Sequence, residues 1–186
     1  NHLFDSEVTE QGVLLKLPFH DDDALDTSLF VLRPEQLEVG HRIDGFTSCG
    51  DSIEISGWAY VLKVDLARHE QRVEVVLIND AGEELVIPAT SLPQFAQEHD
   101  RLPPHVDDWC DYRPGRFTAN VPLEALQGES WQLQLRVHVA GMVVDQVARQ
   151  VFRRGPLGNP PALLFANGDR LVFEWRSGHP VVLRRR

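Results

Sequence analysis

The stretch WQLQLRVHV (131–139) alternates with a period of two. Trp131, Leu133, Leu135, Val137 and Val139 share one parity, and Gln132, Gln134, Arg136 and His138 share the other. Only an extended strand with one face in a core and one in water uses such a pattern, because successive strand side chains point to opposite faces. Ala140-Gly141 then reads as a tight turn, and MVVDQVARQVF as the returning strand. The same logic assigns strands to GVLLKL (12–17), SLFVLR (28–33), SIEISGWAYV (52–61), RVEVVLI, ELVIPA, RFTANV, PALLFA, RLVFEW and PVVLR. The parity of apolar residues changes across Gly57, from Ile53 and Ile55 to Trp58 and Tyr60, which predicts a bulge at that glycine. Asn79-Asp80-Ala81-Gly82 and Asn167-Gly168-Asp169 read as hairpin turns.

Helix signals are few. TSLPQFAQEHD (90–100) predicts a short helix capped by Thr90 or Ser91, and PLEAL (122–126) a single turn. Many short strands with regular turns predict an all-β chain: an immunoglobulin-like or jelly-roll-like β-sandwich with flanking hairpins. The expected division is leading strands at 1–45, a central sandwich at 46–154, and a linker with a C-terminal hairpin at 155–186. RPEQLEVGHRIDGFTSCGD (33–51) reads as the segment separating the first strands from the centre, and RRGPLGNPP as a linker. The outer hairpins either extend the sandwich or pair with each other.

The formal net charge is -10, with Lys16 and Lys63 the only lysines. A phosphate-backbone binder needs clustered basic residues, so the composition argues against nucleic acid as a partner. No apolar run is long enough for a transmembrane helix, and no signal peptide is visible. The chain begins at Asn1 rather than Met and stops at VVLRRR, which reads as a piece cut from something longer. Two cysteines, Cys49 and Cys110, read first as separate thiols, with a single bridge as the alternative.

Chemistry-bearing clusters each have a plainer explanation. His20, Asp21, Asp22, Asp23 and Asp26 gather in FHDDDALD, but without an EF-hand spacing, so the segment reads as a solvated acidic loop. His99, Asp100, His105, Asp107 and Asp108 fit neither a zinc site nor a recognised acid-base motif. No catalytic residue, metal site or cofactor is assigned. WCDYRPGRF (109–117) is the best handle. Trp109 and Tyr112 form either an exposed sugar-stacking platform or a buried corner in which the tyrosine hydroxyl pins a backbone group. Arg113 and Arg116 beside them are candidate anion contacts, and these four residues are the candidate ligand site.

ISGWAYVLKVDL (55–66), WCDYRPGRFTANVPLEAL (109–126) and ESWQLQLRVHVAGMVVDQVARQVFRRG (129–155) resemble an accessory β-domain of bacterial cell-wall enzymes. The similar domains are attached to glycosyltransferases and to CDP-glycerol glycerophosphotransferases of the teichoic acid type, mainly in actinobacteria. The resemblance implies a non-catalytic accessory or interaction module for cell wall biogenesis, not an enzyme in its own right. It would work in the cytoplasm, at the inner face of the membrane, against a catalytic domain of the same or a partner chain, or in a homo-oligomer. The alternative it implies is a carbohydrate- or polyol-phosphate-binding module. A chain of charge -10 repels a polyphosphate unless local arginines offset it, and Arg113, Arg116, Arg153 and Arg154 are the central candidates.

Overall fold

The computed structural model describes residues 5–92, 109–151, 162–165, 168–176 and 178–186. Its strands, in chain order, are β1 (Asp5–Thr9), β2 (Gly12–Lys16), β3 (Val31–Leu32), β4 (Val39–Cys49), β5 (Ser52–Val61), β6 (Gln71–Asn79) and β7 (Glu84–Pro88). They continue as β8 (Thr90–Ser91), β9 (Arg116–Pro122), β10 (Ser130–Val139), β11 (Met142–Val147), β12 (Ala162–Leu164), β13 (Arg170–Glu174) and β14 (Val182–Arg185). The described chain is all-β, joined by turns and short 3-10 segments. No helix among the described residues is long and apolar enough to cross a membrane.

The strands form three antiparallel sheets. One runs β4-β5-β9-β8; a second runs β12-β13-β14-β10-β6-β7, with β11 also on β10; the third is β1-β2-β3. The predicted strand β10 is the hub. One edge pairs with β6 from Trp131 to Val139. The other edge is shared: β14 takes Ser130–Gln132 and β11 takes Gln134–Val139. The alternation is realised as expected, with all five apolar residues of β10 at most 2% exposed. Each buried aliphatic side chain of this kind stabilises the fold by about 1.5–3 kcal/mol. The Ala140-Gly141 turn has φ of 49° and 82°, the two left-handed residues that a tight hairpin turn matching strand twist needs.

The first two sheets face each other across one apolar core. Ile53, Ile55, Phe117, Ala119 and Val121 of the four-stranded layer meet Val75, Leu77, Leu133, Leu135 and Leu183 of the larger one. Phe46 of β4 stacks on Phe173 of β13 with centroids 3.8 Å apart. The trailing hairpin thus continues the sheet of β10 through β14, while β1–β3 form their own sheet at its side.

Four local expectations are corrected. The segment at 33–51 is more than a separator, because it contains β4, an 11-residue strand paired along β5. Its alternation is disguised by a buried polar residue, His41, and by a register shift between Ile43 and Gly45. That shift is also where the bulge lies: the extra residue is Asp44 in β4, while β5 pairs without interruption to β9. Gly57 sits opposite the shift because a Cβ there would stand 2.3 Å from the Arg42 carbonyl oxygen. SLFVLR is a 3-10 turn, Thr27–Phe30, followed by the two-residue β3. Asp26 Oδ1 accepts from the Ser28 N–H and starts that turn. Thr90 and Ser91 form a strand on β9 rather than a helix cap; residues 93–100 of the expected helix lie outside the described residues. PLEAL does make its single turn, at Leu123–Ala125.

Candidate functional site

Where β5 ends, the chain turns through Lys63, whose φ is 70°. The segment 109–116 packs against that turn. Tyr112 Oη accepts a hydrogen bond from the Lys63 N–H at 2.9 Å. The ring of Tyr112 stacks on Tyr60, with centroids 4.3 Å apart and 16° between planes. Gly115 allows the approach: a Cβ there would lie 3.0 Å from both the Ala59 carbonyl oxygen and the Tyr60 ring. Asp65 Oδ1 accepts from the Asp111 N–H at 2.9 Å, and the Leu66 N–H donates to the Asp111 carbonyl at 3.0 Å. The two stretches are thereby bonded in both directions. The Lys63 ammonium lies 5.5 Å from the centroid of Trp109, within cation–π range.

The four candidate ligand residues therefore stand in different environments. Tyr112 is 1% exposed, and its stacking partner Tyr60 is fully buried. Trp109 is half-buried and packs on the core. Arg113 is exposed and grips Asp111 with Nε and Nη2. That guanidinium holds the Asp111 carboxyl below its ordinary range, and the carboxylate raises Arg113 in turn. Arg116 is half-buried at the start of β9. The structure does contain a near-coplanar aromatic pair, but its rings face inward. Trp58 and Trp131 are also core residues, and Trp175 is half-buried against the core.

The other clusters have local explanations. Asp22 Oδ1 accepts from the Ala24 N–H, Asp26 Oδ1 from the Ser28 N–H, and His20 Nδ1 meets the Leu17 carbonyl. These are loop-shaping bonds. No group of three or more His, Cys, Asp or Glu side chains converges as metal ligands among the described residues. Cys49 is exposed, Cys110 is buried, and no disulfide joins them. His99, Asp100, His105, Asp107, Asp108, Arg153 and Arg154 lie outside the described residues.

Sequence reasoning missed a cleft at one end of the sandwich, about 760 Å³ in volume. Asp51 comes from the β4–β5 turn and Ser52 from the start of β5, Pro122, Leu123, Glu124 and Leu126 from the end of β9 and the 3-10 turn after it, Asp169 from the β12–β13 turn, and Arg185 from β14. These residues are far apart in sequence and carry no motif. Only the pairing of β14 with β10 brings Arg185 to the same end as Asp51. The turn residues around Asp51 and Asp169 were visible in the sequence, but not that they share one end. Arg185 lies 5.8 Å over the Trp131 ring, donates to the Leu123 carbonyl at 3.4 Å, and stands 3.7 Å from Asp169. A smaller hollow of about 300 Å³ is bordered by Arg72 and His138, where His138 Nε2 meets Glu74 at 3.0 Å.

No protein-family profile and no curated protein matches the chain. Among solved structures the fold is similar to that of S. aureus TarS. The fragment spanning 217–571 aligns with a TM-score of 0.57 at 10% identity, over 97% of this chain and 46% of the fragment. A second structure of S. aureus TarS aligns at the same score and identity, over 97% of this chain and 29% of that one. This chain thus spans less than half of either neighbour, and what it shares with them is the β architecture.

Proposed function

We propose that this chain is a non-catalytic accessory module of a larger cell-wall glycan or teichoic acid transferase, acting in positioning or assembly. The observation that carries the reading is the alignment of nearly the whole chain with part of S. aureus TarS, beside the resemblance of residues 55–66, 109–126 and 129–155 to accessory domains of cell-wall transferases. The corner at Tyr112 supports it. Tyr112, at the centre of the stretch that drew attention in the sequence, is spent on holding β5, the Lys63 turn and the 109–116 segment together. The module's partner is a catalytic domain, in the same chain or a neighbouring one, with self-association a further form of assembly. Its place is the cytoplasmic side, at the membrane surface. The division at 45/46 and 154/155 describes the order of segments along such a module rather than separately folding units, since β4 crosses the first boundary and β14 joins the sheet of β10.

A second reading is a carbohydrate- or polyol-phosphate-binding module, and the cleft at the sandwich end, lined by three carboxylates, favours its uncharged form. On the earlier candidate site, it would use the open atoms of Trp109, Arg113 and Arg116, because the Tyr112 ring is shut away.

The test is sugar transfer by the parent enzyme with and without this module, on a short acceptor and on a long polymer. An accessory role predicts that the short-acceptor rate is kept while efficiency on polymer falls about tenfold or more, the scale of losing a tethered second contact. Turnover of a nucleotide sugar by the purified chain alone would overturn it.

A further inference from the structure

We propose that the cleft walled by Asp51, Glu124, Asp169 and Arg185 binds a neutral polyhydroxylated ligand, a sugar or an alditol, through hydrogen bonds rather than ring stacking. The inference goes beyond the accessory reading and does not depend on it.

Its place is suited to binding. The lining comes from turns and strand ends fixed by both layers of the sandwich, since Ser52 pairs with Pro122 and the Leu123 N–H donates to the Asp51 carbonyl at 2.9 Å. A volume of about 760 Å³ falls in the size class of small-molecule sites. The buried Leu123 and Leu126 give an apolar patch for the C–H face of a ring, under a rim of polar groups.

The chemistry selects the ligand class. Ionised carboxylates only accept hydrogen bonds, and hydroxyl groups are the neutral donors that meet them, often two vicinal hydroxyls on one carboxylate. Asp51, Glu124 and Asp169 supply those acceptors, while Arg185 and Ser52 supply donors. The Arg185 guanidinium is only partly used. Its Nε–H is shielded and has no hydrogen-bond partner, and Asp169 at 3.7 Å is beyond hydrogen-bond reach. About a third of the side chain is exposed, and Arg185 lines the cleft, where it can donate to a ligand oxygen. A polyol that both donates and accepts matches this lining.

Charge excludes the phosphorylated alternative. Three carboxylates against one guanidinium leave the lining with an excess of two negative charges, which repels a phosphate. The carboxylates are not drawn together as a metal cage either.

The experiment is an amide NMR titration of the intact chain with glucose, N-acetylglucosamine and glycerol. Glucosamine serves as a cationic probe and glycerol 3-phosphate as an anionic one. The expected result is a saturable shift with at least one neutral probe, confined to residues 51–52, 123–126, 169 and 185. Glu124→Gln and Arg185→Lys should each weaken it about tenfold while the rest of the spectrum stays in place. No saturable shift with any neutral probe overturns the proposal. So does binding of the phosphate alone or of glucosamine alone, or a shift confined to Trp109, Arg113 and Arg116. Each of these leaves the polymer-transfer experiment free to succeed or fail by itself.

Discussion

His41 is the one polar or charged residue among the buried described residues, and it is fully occupied. Its Nδ1 meets the Val39 carbonyl at 3.0 Å, and its Nε2 accepts from the Arg149 N–H at 3.0 Å. Only the neutral ring can make both bonds. Burial, with the Arg149 charge nearby, pushes its pKa below the ordinary 6.5. In the unfolded chain the ring takes up a proton at higher pH than in the folded one. The stabilisation is therefore complete above about pH 6.5 and declines as pH falls toward the folded value, by at most about 1.4 kcal/mol per pH unit. Urea melts between about pH 7.5 and 5 should show the decline, and His41→Leu should flatten it. Asp111 acts in a separate, more acid window. Its lowered pKa gives stability that is present above about 3.9 and lost below that. At the corner, Tyr112→Phe removes the hydroxyl that accepts from Lys63 and should cost about 1 kcal/mol. Tyr112→Ala also empties the space against Tyr60 and should cost about 3 kcal/mol or more in the same melts. A loss below about 0.5 kcal/mol for the alanine variant, the scale of a surface change, would contradict the corner.

Among the elements, those whose alternation is unbroken were legible in the sequence. β10 and β9 each place three or more apolar residues at strict spacing, and both form where expected. β4 was hidden because two of its signals are broken: an inward-facing histidine replaces an apolar residue, and Asp44 shifts the parity halfway along. The turn at Thr27–Phe30 was hidden for a different reason. Ser28-Leu29-Phe30 has strand-like composition, but a side-chain cap from Asp26 decides the backbone, and Leu29 is left 71% exposed. The parity change at Gly57 was not a bulge in β5: Gly57 to Val61 are all buried, so both faces of that half of the strand are covered. Gly57 itself marks the tight approach of β5 to β4, where Gly57→Ala would force a methyl group against the Arg42 carbonyl. That variant should lose about 2–3 kcal/mol by separating the two strands. The loss should appear as a lower denaturation midpoint with an unchanged slope.

At the scale of the whole molecule, stretches from the beginning, middle and end of the chain share one core. Val13 and Leu37, Leu133 and Phe117, and Phe173 and Leu183 belong to a single cluster of buried side chains. A fragment limited to 46–154 would lack half of β4 and all of β14, leaving β5 and β10 with bare edges and Trp131 without its neighbour Leu183. The account predicts that residues 5–186 unfold in one cooperative transition and that the 46–154 fragment shows none. The cleft was beyond sequence reasoning for this same reason: Asp51, Glu124, Asp169 and Arg185 meet only after three distant segments have joined two sheets. The measurement that most directly tests the accessory role is to add the purified chain back to a parent transferase that lacks it, and to follow transfer to a long polymer and to a short acceptor. The account predicts a rate on polymer that rises with added chain and saturates, with the short-acceptor rate unchanged. An unchanged polymer rate, with the added chain folded, would contradict it.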